Sequence, residues 1–140
     1  MTALLLDTHT AIWLAEGIEL QKAILAEIVA AGLKGEVYVS PISAWEIGML
    51  ATRQNPARAR RFEPDPERWF ADLMALPAIK PAPFNGDIAI AASYLPAPFH
   101  SDPADRLLVA TARHMDIPIV TRDGLILAYG KAGHVKTLAC

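Results

Sequence analysis

Residues 3–6, Ala3-Leu4-Leu5-Leu6, form an apolar run with no polar alternation, and Asp7 ends it. Such a run predicts a strand buried on both faces, the middle of a parallel sheet. Apolar positions at 11–15 predict a helix directly afterwards, so Asp7 falls in a strand-to-helix turn, where open α/β sheets bind ligands. The stripe of Leu20, Ile24, Ile28 and Ala31 predicts a helix over 19–33, ended by Gly32 and Gly35. Residues 36–39 read as a short strand. Ser40-Pro41 then supplies a polar N-cap with proline in the first helical position, opening a helix over 41–52. The proline-rich stretch 55–66 reads as a loop or broken helix, followed by a helix over 67–76 and a strand over 78–81 that Pro81 confines to an edge or an end. Helices over 88–95 and 103–114, a strand over 117–121, a short helix over 125–129 and a last strand over 134–138 complete the pattern. Strand and helix alternate throughout, which predicts a three-layer α/β/α sandwich around a central parallel sheet with right-handed crossovers.

Composition narrows the class. At 140 residues the chain fits one domain, 1–140, able to bury roughly 70% of its unfolded surface. Apolar residues make up 53% and charged residues 20%, a globular composition with an apolar surplus that points to a hydrophobic partner surface. No segment approaches a membrane span and the first residues lack the features of a signal peptide, so a cytoplasmic protein that does not engage a membrane is expected. The single cysteine, Cys140, excludes an internal disulfide and a cysteine zinc site and is expected at a frayed end. A net charge of −2 gives no global footprint for long nucleic acid. Locally, Arg53, Arg58, Arg60 and Arg61 fall close together, while Asp7, Glu46, Asp102, Asp105 and Asp123 stand at element ends or in apolar surroundings. A basic rim around an acidic pocket suits a phosphate substrate with a divalent cation, and a solvated arginine run explains the same residues equally well.

Asp7, Asp102 and Asp123 each precede a helix, where aspartate caps free N–H groups, and capping is the better account of each taken singly. Asp102 with Asp105 across Pro103 resembles a capping box. Glu46 is different. It lies one turn from both Ile42 and Leu50, within or at the edge of an apolar stripe, where a carboxylate is costly without a cation or strong donors unless its long stem reaches the surface. Parallel strands end at one edge, so Asp7 and Asp123 share it; Glu46 lies just above that edge, and Asp105 reaches it if its helix leads toward the strand ending at Thr121. Carboxylates gathered there repel one another unless a counter-charge intervenes, and Mg²⁺ or Mn²⁺ meets that need with oxygen ligands and a bridge to phosphate.

Four motifs, L-L-L-D-T-H (4–9), S-P-I-S-A-W-E-I (40–47), H-S-D-P-A-D-R-L-L-V-A-T-A (100–112) and I-V-T-R-D (119–123), together resemble the PIN domain and, within it, the VapC-type ribonuclease toxins of type II toxin–antitoxin modules. The resemblance covers nearly the whole chain. It implies a PIN-like sandwich, a Mg²⁺- or Mn²⁺-dependent endoribonuclease leaving 5′-phosphate and 3′-hydroxyl ends, a homodimer, and an antitoxin protein that blocks the site. The family's acidic quartet falls on Asp7, Glu46, Asp105 and Asp123, with Asp123 the weaker or outer ligand. Thr8 and Thr121 match hydroxyl positions that orient carboxylates or metal-bound water. Asp102 takes a capping role first and an outer-shell role second. Arg106 and Arg122 flank two of the aspartates as candidate phosphate contacts, with ordinary surface ion pairs the equal alternative.

Other chemistries find less support. His9, His100, His114 and His134 show no metal-ligand spacing; His9 and His100 matter only as neighbours of the acidic site. Phosphate-loop and dinucleotide glycine motifs are absent. A phosphohydrolase with an aspartyl nucleophile expects a second aspartate two positions after Asp7, where His9 stands. A non-catalytic PIN-like binding module, its carboxylates serving only as caps, is the alternative of another class. Trp13, Trp45, Met49, Leu50, Trp69 and Phe70 form a surplus of large apolar side chains that, where not core, offers an antitoxin segment a groove.

Overall fold

Leu4, Leu5 and Leu6 are each no more than 1% exposed, as an unbroken apolar run requires of a central strand. A computed structural model describes residues 3–54, 57 and 59–140. In chain order these form β1 (Leu4–Leu6), α1 (Thr8–Ala15), α2 (Lys22–Leu33), β2 (Val37–Val39), α3 (Pro41–Ala51), α4 (Pro66–Met74), β3 (Ile79–Pro81), α5 (Gly86–Ser93), α6 (Pro103–Met115), β4 (Ile119–Thr121), α7 (Gly124–Lys131) and β5 (Thr137–Ala139). All five strands are parallel in the order β3-β2-β1-β4-β5.

The two-residue period of a strand sends alternate side chains to opposite faces. Leu5, Tyr38 and Ile119 project into a core shared with Ile88, Leu108 and Ile126 of α5, α6 and α7. Leu4, Leu6, Val37, Val39 and Val120 project the other way, against Ala11, Ile28 and Leu73 of α1, α2 and α4. Helices therefore cover both faces, the three-layer α/β/α arrangement. Each fully buried leucine contributes roughly 1.5–3 kcal/mol. A smaller cluster of Ile12, Ile47, Leu50 and Phe62 ties α1 to α3, and the partly buried Trp69 and Phe70 pack against it, so these two aromatics are engaged with the core. Pro81 ends β3 at the sheet edge, where its missing N–H costs nothing.

Strand order reverses beside β1. The chain leaves β1 toward β2 and leaves β4 toward β5 on the other side, which opens a crevice between the C-terminal ends of β1 and β4. Asp7 directly follows β1, and Asp123 lies two residues past the end of β4, at the head of α7.

The chain's end corrects two expectations. The final strand is Thr137–Ala139, not 134–138. Its register sets Thr121 beside Ala139, and the Cys140 N–H continues the ladder to the Thr121 carbonyl at 3.2 Å. Cys140 is accordingly buried, 7% exposed, and packed in the core with its Sγ 3.5 Å from Thr10 Oγ1; it is not frayed. The basic run is described in part, since Asn55, Pro56 and Arg58 lie outside the described residues. Arg60 pairs with Glu16 and lies over the Phe62 ring. Among the described residues no helix is long and apolar enough to cross a membrane.

Candidate active site

Asp7 is buried at the head of α1, and both of its oxygens are held. Oδ1 accepts the Thr8 N–H at 2.7 Å, and Oδ2 accepts the Thr121 hydroxyl at 2.6 Å. An ordinary N-cap would take the N–H of the second or third helical residue; Asp7 takes that of the first and is turned toward β4. Thr121 Oγ1 in turn accepts the Asp123 N–H at 2.9 Å, so one hydroxyl links the Asp7 carboxylate to the backbone of Asp123. Asp123 is also a cap in the usual sense: its Oδ1 accepts from Leu125 N at 2.8 Å and Ile126 N at 3.0 Å.

Glu46 arrives on α3. Ser40 caps this helix, its Oγ accepting the Ile42 N–H at 3.0 Å, and Pro41 opens it. Ile42, Ile47 and Leu50 are buried and bring Glu46, half-buried, over the crevice. Thr8 Oγ1 donates to Glu46 Oε1 at 2.5 Å and lies 2.8 Å from Ser43 Oγ. Ser43 stands three residues before Glu46, on the same side of the helix. That three-residue spacing is the one signal in the sequence that points to Ser43.

Asp105 enters on the first turn of α6. Asp102 caps that helix, its Oδ1 accepting the Asp105 N–H at 3.0 Å while its side chain stays exposed. The Asp105 carboxylate does not close a reciprocal capping box. It meets His100 instead, Nε2 lying 3.0 Å from Oδ2, without the alignment of a hydrogen bond. Donor atoms of His100, Asp105 and Asp123 lie within 4.8 Å of one another. His100 precedes the helix in a loop, where no helical or strand spacing flags it.

The arginines beside the aspartates are engaged by backbone. Arg106 Nε donates to the Ala92 carbonyl at 2.9 Å and Nη1 to those of His100 and Phe99 at 3.2 and 3.4 Å, so it straps the loop before α6 onto α5 and α6. Arg122 Nε donates to the Cys140 carbonyl at 2.9 Å, and its guanidinium lies 4.2 Å from the Trp13 ring centroid. Both guanidinium groups therefore hold the scaffold around the acidic residues.

Burial dominates the electrostatics. It pushes the Asp7 carboxyl above its usual range against the hydrogen bonds from Thr121 and Thr8, with Asp123 adding repulsion. Burial raises Glu46 likewise, opposed by the Thr8 hydroxyl and reinforced by Asp7 and Asp102. Asp105 is pushed up to about 7, first by burial and then by the charges of Asp102, Asp7, Asp123 and Glu46. Asp105 thus feels the charges of Asp7, Glu46 and Asp123, Glu46 feels Asp7, and Asp7 feels Asp123, which places the four carboxylates in one field. The ion pairs of Arg60, Arg68 and Lys136 engage other carboxylates, Glu16, Asp72 and Asp116. The donor set, four carboxyls and the unpartnered Nε2 of His100, fits a divalent cation: such an ion replaces protons that desolvation and repulsion hold in place.

A cleft of about 380 Å³ opens beside Glu46, lined by His9, Trp45, Met49, Leu50, Arg53 and Asp102 among others. Trp45 and Met49 are 49% and 54% exposed. A larger cavity, about 640 Å³, involves Asp116, Ile117, Lys136 and Thr137, at the opposite edge of the sheet where β4 and β5 begin. The smaller cleft is the one that adjoins the carboxylates.

Residues 4–131 match the PIN domain. The chain is 32% identical over 123 residues to Ribonuclease VapC22 of Mycobacterium tuberculosis, covering 88% of each protein. Two solved structures share the fold. One is VapBC2 of Rickettsia felis bound to a DNA fragment from its promoter, with a TM-score of 0.62 at 10% identity, covering 98% of both chains. The other is DNA-bound VapBC of Salmonella typhimurium, with a TM-score of 0.58 at 16% identity, covering 99% of this chain and 98% of that one. An acidic crevice at the switch point of a five-stranded parallel sheet, matched in sequence over almost its whole length, makes this chain a member of the PIN domain family.

Proposed function

We propose that the protein is a divalent-metal-dependent endoribonuclease acting as the toxin of a toxin–antitoxin pair. The carrying observation is the crevice between β1 and β4, where Asp7, locked by Thr121 and Thr8, shares a field with Glu46, Asp105 and Asp123. A protein that used these carboxylates only as caps would not turn Asp7 away from the usual capping donors or bury Glu46 against Thr8. The likeness to a relative named as a ribonuclease supports RNA as substrate, and the likeness to VapBC assemblies supports an antitoxin partner.

In this reading Asp7, Glu46, Asp105 and Asp123 hold Mg²⁺ or Mn²⁺. When bound, the cation supplies Lewis acidity toward water and the phosphodiester and balances charge on the phosphate. The chain's own residues set the stage. Thr121 and the Thr8 N–H fix the Asp7 oxygens, and Thr8 with Ser43 fixes Glu46. Asp105 gives up its proton on ion binding, and the Asp123 backbone is held by the same Thr121 hydroxyl. Products carry 5′-phosphate and 3′-hydroxyl ends. The exposed Trp45 and Met49 next to the cleft take apolar side chains of the antitoxin, and the active unit is a homodimer.

RNA-end mapping after a brief pulse of expression tests the activity. New 5′-phosphate ends should accumulate at defined sites with wild type and not with Asp7→Asn. Identical RNA ends in the two would overturn the assignment. Coexpression of a cognate antitoxin should relieve growth arrest; arrest that no coexpressed neighbouring gene relieves would remove the antitoxin and leave nuclease chemistry standing.

A further inference from the structure

His100 belongs to none of the carboxylate positions, yet its ring is built into the site. Its carbonyl and that of Phe99 are tied to α6 by Arg106, the residue next to Asp105. Its ring packs edge-on against Phe99 at 4.5 Å between centroids. Nε2 is cut off from solvent and has no hydrogen-bond partner, although Asp105 Oδ2 is only 3.0 Å away, and Asp123 completes a set of donor atoms within 4.8 Å. A buried ring nitrogen without a partner is costly to maintain. Adjacent ligands on an octahedral ion with bonds of about 2.1–2.2 Å stand about 3.0 Å apart. The His100–Asp105 spacing is the bite of two neighbouring ligands.

We propose that His100 Nε2 is a direct ligand of the cation held by Asp105 and Asp123, and that it makes this chain select Mn²⁺ or a similar transition-metal dication over Mg²⁺. The inference rests on the reading of the acidic crevice as a metal site and adds a nitrogen donor to it. Imidazole suits first-row transition metals, whereas Mg²⁺ favours carboxylate, carbonyl and water oxygens. One nitrogen in an otherwise oxygen set shifts the balance toward Mn²⁺ while leaving enough carboxylate for Mg²⁺ to bind weakly.

The test uses the full chain, stripped with chelator and titrated with MnCl₂, with MgCl₂ as competitor. Electron spin-echo spectroscopy of the Mn²⁺-loaded protein should show coupling to a directly bound ¹⁴N. His100→Ala should lose that coupling and at least about tenfold of its preference for Mn²⁺ over Mg²⁺, the loss falling mainly on Mn²⁺ affinity, with the circular dichroism of the metal-free protein unchanged. Saturable Mn²⁺ binding with no nitrogen coupling in wild type overturns the proposal and leaves the carboxylate site intact. Coupling that survives in His100→Ala assigns the nitrogen elsewhere and also overturns it. Absence of any saturable Mn²⁺ binding in wild type overturns both this proposal and the metal site on which it rests.

Discussion

Thr121 and Asp7 are 114 positions apart in the chain and joined by a 2.6 Å hydrogen bond between Oγ1 and Oδ2. The same hydroxyl accepts the Asp123 N–H, so it ties Asp7, just after β1, to the turn that follows β4. Thr121→Val keeps the shape and removes both interactions, leaving a buried carboxyl and an N–H without their partner. The expected loss is about 1–3 kcal/mol, a fall in Tm of several degrees, with weaker Mn²⁺ binding. Thr121→Ser should restore most of both. Urea denaturation and Mn²⁺ titration of the two variants check this; a valine variant equal to wild type in both would contradict it.

The raised Asp105 carboxyl makes a pH prediction for the metal-free protein. In the unfolded chain the group loses its proton near 3.8; in the folded protein it holds it to about 7. Between those values the folded state binds more protons, so stability falls as pH rises through that window. Asp7 and Glu46 are shifted in the same direction. Thermal unfolding in chelator should therefore give a lower Tm at about pH 8 than at about pH 5, with Asp105→Asn flattening the dependence. A wild-type Tm that rises steadily between those pH values would contradict the electrostatic account.

Arg106 holds carbonyls of Ala92, Phe99 and His100. Arg106→Ala leaves these without their charged donor and should cost about 3 kcal/mol. If the guanidinium is confined to this strap, the KM for a short RNA, measured at a temperature where the variant is folded, should stay within about twofold of wild type. A large rise in KM with unchanged stability would instead identify Arg106 as a phosphate contact.

Trp45 and Met49 are about half exposed beside the cleft, so replacing both with alanine should change stability by no more than about 1 kcal/mol. Cleavage of RNA by the isolated variant should persist, and co-purification with a coexpressed antitoxin should fail. Retained co-purification at wild-type yield would place the antitoxin elsewhere.

The sheet was legible because its signals are local. The unbroken Leu4–Leu6 run, Ser40-Pro41 and Asp102-Pro103 each fix an element within a few residues, and the observed caps are those residues. Helix ends shifted where a turn begins at once: α1 starts at Thr8, directly after Asp7, ahead of the apolar positions that predicted it. The last strand was misplaced because its position depends on register against β4 and on a Cys140 N–H to Thr121 bond, neither of which leaves a periodic trace. The shared edge of Asp7 and Asp123 follows from topology, since parallel strands end together; the approach of Glu46 and Asp105 depends on how α3 and α6 pack against that edge. Spacing on α3 puts Ser43 on the side of Glu46, but the hydroxyl links that Thr8 makes to both and Thr121 makes to Asp7, and the approach of His100 to Asp105, depend on how elements pack, which spacing rules do not reach.

The most direct measurement is the single-turnover cleavage rate of end-labelled RNA by purified, chelator-stripped protein, before and after Mn²⁺ is restored, for wild type and Asp7→Asn. The account predicts negligible cleavage without the ion, recovery on adding it, 5′-phosphate product ends, and a rate at least about a thousandfold lower for Asp7→Asn. Cleavage by the stripped wild-type protein, or an Asp7→Asn protein that cuts at the wild-type rate, would contradict it.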